Sequence, residues 1–397
     1  MRHLIKAGCL IDGTGASPRE NVDILFDERR IIAIGARDTI EDTDAAVIPA
    51  FDKGVLPGLV DAHVHICFDA SCDPVFNVRH EPPPDMMIRG VCNARDMLNA
   101  GVTTIRTLGT PNDLDLHLRD GIRQGLIPGP RIVAAGRSLT VTGGHGHYYR
   151  IEADGPAEMR EATRLQIKNG VNVIKITVTG GIMTPRVRPG VSKFDLDEIR
   201  AVVNEAHKAG LKVAAHAENP EGVNDALAAG VDSIEHGYFM RNTEGLDRLL
   251  DSGAYLVPTL MAYDLIANGL ETGVPAEAVE KAKAALEYNT SGFRAALDAG
   301  ANIAMGSDAG TAFNDHGRSW REASFMVGNG MSPMDTIVAA TRNGADLLGL
   351  GARVGTVEPG KVADLIVVDG DPLADIASLG NVVCTIQGGR IAMRSGL

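Results

Sequence analysis

The sequence predicts an α/β fold, a (β/α)8 TIM barrel carrying a small β-sandwich domain built from both chain termini. Three observations lead there. Between about residues 58 and 352, short apolar runs alternate eight times with amphipathic stretches. Both ends of the chain carry short β-prone runs separated by Gly and Asp turns. Polar residues of metal-ligating type stand where the barrel strands should end.

The terminal segments contain Leu4-Ile5, Val22-Asp23-Ile24-Leu25-Phe26, Arg30-Ile31-Ile32-Ala33-Ile34 and Ala46-Val47-Ile48, with turns such as Asp12-Gly13-Thr14-Gly15 between them. The far end repeats the pattern in Asp364–Asp369, Val382–Ile386 and Arg390–Ala392. Neither end has enough strands to close a sandwich alone. Residues 1–57 and 353–397 are therefore expected to pair into one β domain, with a barrel over 58–352 inserted between them.

The barrel strands are expected at Leu59–His65, Val102–Leu108, Arg131–Ala135, Val171–Val178, Leu211–His216, Ser233–His236, Tyr255–Leu260 and Ile303–Asp308. Amphipathic stretches separate them, among them Asp85–Ala100, Pro156–Asn169, Asp195–Ala209, Pro220–Ala229, Ala276–Ala299 and Pro333–Leu348. Several open on Pro or Asp and close on Gly, as at Lys168-Asn169-Gly170. Eight such pairs in roughly 290 residues fit a barrel. A doubly wound open sheet is the alternative, but no Gly-x-Gly-x-x-Gly turn follows the first strand.

Composition narrows the function. A formal charge of −13 argues against a general nucleic-acid surface, which would be basic. No window reaches the ~18 apolar residues of a membrane span. Met1–Gly8 lacks the apolar run of a secretory signal. Five cysteines without paired spacing argue against a disulfide framework, so a cytoplasmic protein is expected. Cys67 and Cys72 read as packing or loop residues rather than thiolate ligands.

The chemistry begins at Val60-Asp61-Ala62-His63-Val64-His65-Ile66. Side chains on a strand alternate faces, so His63 and His65 point the same way and can share one metal ion. Taken alone, the pair reads equally as two half-buried histidines bonded to backbone. Four later residues change the balance. Barrel chemistry sits at the C-terminal ends of the strands, and those ends carry His216, His236 and Asp308, with Lys175 inside an apolar run. An unpaired ammonium in a barrel wall is costly. Either Lys175 forms a buried salt bridge, with Asp308 as the nearest candidate, or it loses its charge. A neutral amine can take up carbon dioxide as a carbamate, whose two oxygens can bridge two metal ions.

This set and its order resemble the amidohydrolase superfamily with a binuclear metal centre. The resemblance spans essentially the whole chain, including the tail Gly355-Thr356-Val357-Glu358-Pro359-Gly360-Lys361-Val362-Ala363-Asp364-Leu365. It is strongest to the imidazolonepropionase-like, Xaa-Pro dipeptidase-like branch. The motifs are Thr142-Gly143-Gly144-His145-Gly146, Lys175-Ile176-Thr177 followed by Gly180-Gly181, Ala215-His216-Ala217, Ile234-Glu235-His236-Gly237 and Gly306-Ser307-Asp308. The resemblance implies that His63, His65 and Asp308 bind the more buried metal and that His216 and His236 bind the more exposed one. It implies that Lys175, as the carbamate, bridges both. Nitrogen and oxygen ligands suit zinc.

Two adjacent divalent ions acidify a bridging water and polarise a carbonyl. Asp308 would take the proton of the attacking hydroxide and pass it to the leaving amine. The expected reaction is hydrolysis of an amide C–N bond by a dipeptidase or carboxypeptidase-like enzyme acting on dipeptides or N-acyl amino acids. Hydrolysis of a cyclic amide, urea or carbamate by the same mechanism is the alternative. A non-catalytic scaffold on this fold should have lost ligands, and all six candidates are present.

Substrate contacts rest on weaker signals. His145 is a candidate donor to the scissile carbonyl or its oxyanion. Tyr238 is a candidate for the same oxygen or for a substrate carboxylate, with loop packing as the ordinary reading. Arg186 or Arg188 is the candidate partner of a substrate carboxylate, with a solvated loop charge as the alternative. His147 reads as a supporting or surface residue, Asp315–Arg318 as a pocket rim, and His80 as part of a mobile lid. The partner expected is a small molecule, and the extended β domain leaves room for a homo-oligomer.

Overall fold

The first four and last three strands share one hydrogen-bonded sheet. The structure is a computed structural model that describes residues 1–42, 44–237 and 243–395. The strands are β1 (Arg2–Leu10), β2 (Arg19–Asp27), β3 (Ile31–Ala36), β4 (Ala46–Pro57), β5 (Leu59–Val64), β6 (Val102–Thr107), β7 (Arg131–Ala134), β8 (Leu139–Thr140), β9 (Ile151–Glu152), β10 (Val173–Thr177), β11 (Lys212–Ala217), β12 (Ser233–His236), β13 (Tyr255–Val257), β14 (Asn302–Ile303), β15 (Leu365–Val368), β16 (Val382–Gln387) and β17 (Arg390–Arg394). The terminal sheet runs β17-β16-β15-β4-β1-β2-β3. The join between chain ends is β4 with β15, antiparallel, from Leu365 opposite Pro57 to Val368 opposite Gly54.

That sheet curls back on itself. Arg30 bridges Val362, and the Ile31 N–H donates to the Lys361 carbonyl at 2.9 Å. Ile5, Ile24, Phe26 and Val55 from the first strands then pack against Leu365, Val367, Cys384 and Ile386 from the last, giving the sandwich-like core.

The remaining strands form the barrel, paired in parallel throughout. One run is β5-β6-β7 and the other β14-β13-β12-β11-β10-β8-β9. Two seams close the ring. Asn172 N–H donates to the Ala134 carbonyl at 2.8 Å. On the other side, Ala62 N–H donates to Met305 at 2.9 Å and Asp308 N–H to His63 at 2.7 Å. The outer helices include Pro83–Asn99, Gly155–Asn169, Leu196–Lys208, Pro220–Ala229 and Ala276–Asp298. Their apolar faces and the barrel wall make one large core containing Met97, Ile105, Ile176, Val202, Ile234 and Phe293. No helix among the described residues is long and apolar enough to cross a membrane.

Two segments depart from expectation. The eighth strand is regular only at Asn302–Ile303. Beyond it the chain keeps bonding to β5 but not as a straight strand, because Asp308 takes φ +58°. The helix expected over Pro333–Leu348 is broken by a wide turn at Ala339–Asn343. There the Ala339 carbonyl accepts from Met305 N–H at 3.1 Å, tying the helix to the eighth strand.

Candidate metal centre and substrate cavity

Strand alternation places the candidate ligands, and small neighbours make room for them. His63 on β5 and His65 just beyond it lie with ring centroids 5.6 Å apart. Lys175 stands in the middle of β10 opposite Ala214 of β11. His216 is on β11 and His236 ends β12. Gly306 is needed beside His63, since a Cβ there would lie 2.8 Å from the His63 Cβ. His236 and Asp308 both adopt left-handed backbone, φ +68° and +58°. Non-glycine residues hold such angles at a cost of about 1–3 kcal/mol each, a cost that clusters at functional sites.

Each histidine is held by one ring nitrogen. His63 Nδ1 lies 2.8 Å from Glu235 Oε2, and His65 Nδ1 lies 3.1 Å from the Gly109 carbonyl. His216 Nε2 lies 2.8 Å from the Gly180 carbonyl, and His236 Nδ1 lies 2.7 Å from Thr259 Oγ1. Where the partner is a carboxylate or carbonyl, the bonded nitrogen carries the proton and the other presents a lone pair. That is how metal-binding imidazoles are oriented. The same residues form two donor groups, His63, His65 and Asp308 in one, and His216, Glu218 and His236 in the other, each within 4.8 Å.

The electrostatics favour cation binding. Burial lowers the pKa of His63 to about 4 and holds His216 and His236 well below their usual value, so the rings are neutral. Burial alone would raise Asp308, but the neighbouring His63 and His65 outweigh it and hold its carboxyl at about 2. Lys175 is only 2% exposed, and its Nζ has no hydrogen-bond partner among the described residues. Burial lowers its pKa to about 7. Asp308 Oδ1 is similarly without a hydrogen-bond partner. Neutral imidazoles, an ionised carboxylate and an orphaned amine in one cavity fit a group that is cationic and accepts lone pairs.

The cavity has a volume of about 60 Å³ and opens to solvent. Its wall holds both donor groups, Lys175 and His145, with Phe68, Val75, Ile182 and Met183 on the apolar side. His145 stacks on His216 at 4.9 Å and 19°, with Nδ1 2.7 Å from Thr184 Oγ1. Arg186 and Arg188 are placed elsewhere. Both are exposed and neither lines this cavity, and the Arg186 N–H donates to Glu277. The arginine that does line it is Arg150. His147 is exposed, 3.9 Å from Glu152. His316 is half-buried, with Nε2 3.2 Å from the His65 carbonyl, and none of Asp315–Arg318 lines the cavity. His80 is exposed on the helix Pro74–His80, against Phe76. Tyr238 lies outside the described residues.

Besides Arg150, four residues at the site escaped the sequence reading, and three of these had a readable signal. Glu218 stands two residues beyond His216, so the alternation that pairs His63 with His65 also pairs these. Arg106 is a charge inside the apolar strand β6, the same sign that marked Lys175. Its guanidinium is fully buried and bonds the Ala62 carbonyl, Ser233 Oγ and Glu235 Oε1 at 2.6, 2.9 and 2.8 Å. Glu235 stands next to His236 in the quoted Ile-Glu-His-Gly. Tyr263, whose hydroxyl donates to Glu218 Oε1, is brought in by a helix and had none.

Against known proteins, the profile of the amidohydrolase family matches residues 55–392. The solved structure of a Xaa-Pro dipeptidase with bound methionine is 35% identical, with a TM-score of 0.91 over 98% of this chain and 99% of that one. A prolidase structure complexed with N-methylphosphonate-L-proline is 28% identical, with a TM-score of 0.91 over the full length of both chains. The ochratoxinase of Aspergillus niger is 27% identical over 94% of this chain and 82% of its own length.

Proposed function

Because the chain belongs to the amidohydrolase family, we propose that the cavity is the active site of a binuclear metal-dependent hydrolase of amide C–N bonds. Its substrates would be dipeptides or N-acyl amino acids. The observation that carries this reading is the buried, hydrogen-bond-orphaned Lys175 amine in one cavity with two clusters of metal-type donors. The similarity to a Xaa-Pro dipeptidase and a prolidase supports the peptidase class. The barrel over 58–352 would be catalytic, with 1–57 and 353–397 forming the supporting β domain.

His63, His65 and Asp308 would hold one cation and His216 and His236 the other, with Lys175 bridging as its carbamate. Its neutral amine would attack carbon dioxide, forming an N–C bond as the nitrogen releases a proton. When bound, two divalent cations, for which zinc best matches these donors, supply Lewis-acid polarisation of a carbonyl and an acidified water.

The chain's own residues do the rest. Asp308 is held ionised, so it accepts a proton at a carboxylate oxygen and returns it to the leaving amine. His145 is held neutral by burial. Thr184 Oγ1 accepts from the Gly146 N–H at 2.9 Å, which leaves its own hydroxyl proton for His145 Nδ1. With the Thr184 hydroxyl donating to Nδ1, the imidazole proton would sit on Nε2, where it would serve the substrate carbonyl oxygen. Tyr238 would be a second donor, to that oxygen or to a substrate carboxylate. The test is a zinc-loaded activity screen over dipeptides and N-acyl amino acids, with a chelator-treated control. Turnover that disappears with the metal and returns on its addition is expected. A zinc-loaded protein that hydrolyses no member overturns the reading.

A further inference from the structure

The cavity contains a buried cation with no anionic partner among the described residues. Arg150 is 8% exposed and lines the same wall as both donor groups. Among the described residues its one hydrogen bond runs from Nη2 to Tyr149 Oη at 2.7 Å, and its guanidinium carbon sits 5.0 Å from the Tyr149 ring centroid. Nε and Nη1 have no hydrogen-bond partner among the described residues, and no carboxylate there forms an ion pair with it. Burying a guanidinium with no anion beside it is costly, and an arriving anion relieves that cost.

The loop is shaped around this side chain. Gly146 has φ +66°, and a Cβ there would lie 2.4 Å from Arg150 Nε and 2.9 Å from the Tyr149 ring. The same Gly146 donates its N–H to Thr184, the residue that orients His145. One turn therefore seats the arginine and aligns the donor expected at the scissile carbonyl. The charge of Arg150 is also felt at Lys175, His145 and His216, which puts it close to the reacting centre.

We propose that Arg150 binds the free α-carboxylate of the substrate's C-terminal residue, which makes this site an exopeptidase-type hydrolase that rejects internal, amidated and uncharged cyclic amides. This rests on the amide-hydrolase reading above. A planar guanidinium with unused N–H donors matches a carboxylate in shape and charge. Away from the metal-type donors the wall includes Phe68, Val75, Ile182, Met183 and Ile266, which offer a carboxylate no hydrogen bond.

The test compares N-acetyl-L-leucine with N-acetyl-L-leucine amide in the metal-loaded protein, as substrates and by calorimetric binding. Wild type should prefer the free acid by roughly 100-fold in kcat/KM, with the difference mainly in KM. Arg150→Met should bring the two within about threefold of each other, and Arg150→Lys, which keeps the charge but not the planar fork, should fall between. Equal handling of acid and amide by wild type, or an unchanged preference in a folded Arg150→Met, overturns the assignment. Should neither compound be cleaved, the hydrolase reading is at fault, and the calorimetry alone decides on Arg150. Acid-selective binding that Arg150→Met abolishes supports it, and binding indifferent to the carboxylate refutes it.

Discussion

Glu235 and His63 are joined across the barrel by a 2.8 Å hydrogen bond from the imidazole Nδ1 to a carboxylate oxygen. The other oxygen of Glu235 takes Arg106 at 2.8 Å and the Ser233 hydroxyl at 2.5 Å. Burial works against ionising Glu235, but the Arg106 charge more than compensates, and its pKa is held below the usual carboxylate range. The first candidate ligand is thereby fixed in one tautomer by a charge pair that never meets solvent.

Glu235→Gln leaves Arg106 buried and unpaired and loosens His63. Metal affinity should fall about 10- to 100-fold, read by competition with a chromogenic chelator. Urea unfolding of the metal-free protein should show a loss of roughly 3–5 kcal/mol. Unchanged metal binding would show that this hydrogen bond does not orient the ligand.

Lys175→Ala removes the proposed bridging group. The variant should retain at most one tightly held ion per chain by elemental analysis, and turnover should drop by about a thousandfold or more. In wild type, growth or incubation with 13C-bicarbonate should give a carbamate carbon signal that is missing in the variant. A variant that kept two ions and full turnover would rule out the carbamate.

Gly181 lies flat against His145, and a Cβ there would sit 2.6 Å from the ring. Gly181→Ala should push the imidazole off its proposed line to the substrate carbonyl. The expected effect is a loss in kcat of about 10- to 100-fold with metal content unchanged. A loss of metal instead would mean that the glycine serves His216, the ring stacked beneath.

Asp115 gives a pH test remote from the metal donors. It is fully buried, accepts from Gly136 N–H at 2.9 Å, and leaves Oδ1 without a hydrogen-bond partner among the described residues. Burial raises its pKa from 3.8 to about 7. Between those values the folded protein keeps a proton that the unfolded chain releases. Stability from this group is therefore intact below about pH 4, falls as pH rises, and is fully lost above about pH 7. Asp115→Asn should match wild type at pH 4 and exceed it by about 1–3 kcal/mol at pH 8 in chemical unfolding. Equal stability at pH 8 would show that the carboxyl ionises freely in the folded state.

The residues that were legible in sequence share one property. His63, Lys175, His216 and His236 sit on strands and His65 one residue past the end of β5, where period-two alternation converts position into direction and a charge inside an apolar run is conspicuous. Asp308 was legible by its place at the end of an apolar run, although its backbone there is bent. Arg150 was not legible, since a charged residue in a Gly- and Tyr-rich loop reads as solvated. Its burial depends on Gly146 and Tyr149 folding around it and on β8 and β9 bracketing the loop, two-residue strands too short for a periodic signal. Arg186 and Arg188, equally charged and equally close to a candidate ligand strand, face outward for reasons of loop path that composition does not encode.

The pairing of β4 with β15 has a consequence for synthesis. The partner of Gly54–Pro57 is made only after the entire barrel has left the ribosome. Until then β4 presents an unsatisfied row of amides and carbonyls beside Val55 and Leu56, an invitation to pair with a neighbouring nascent chain. Slow translation of the last strands, or their removal, should therefore show first as aggregation of newly made protein, before any defect at the distant histidines.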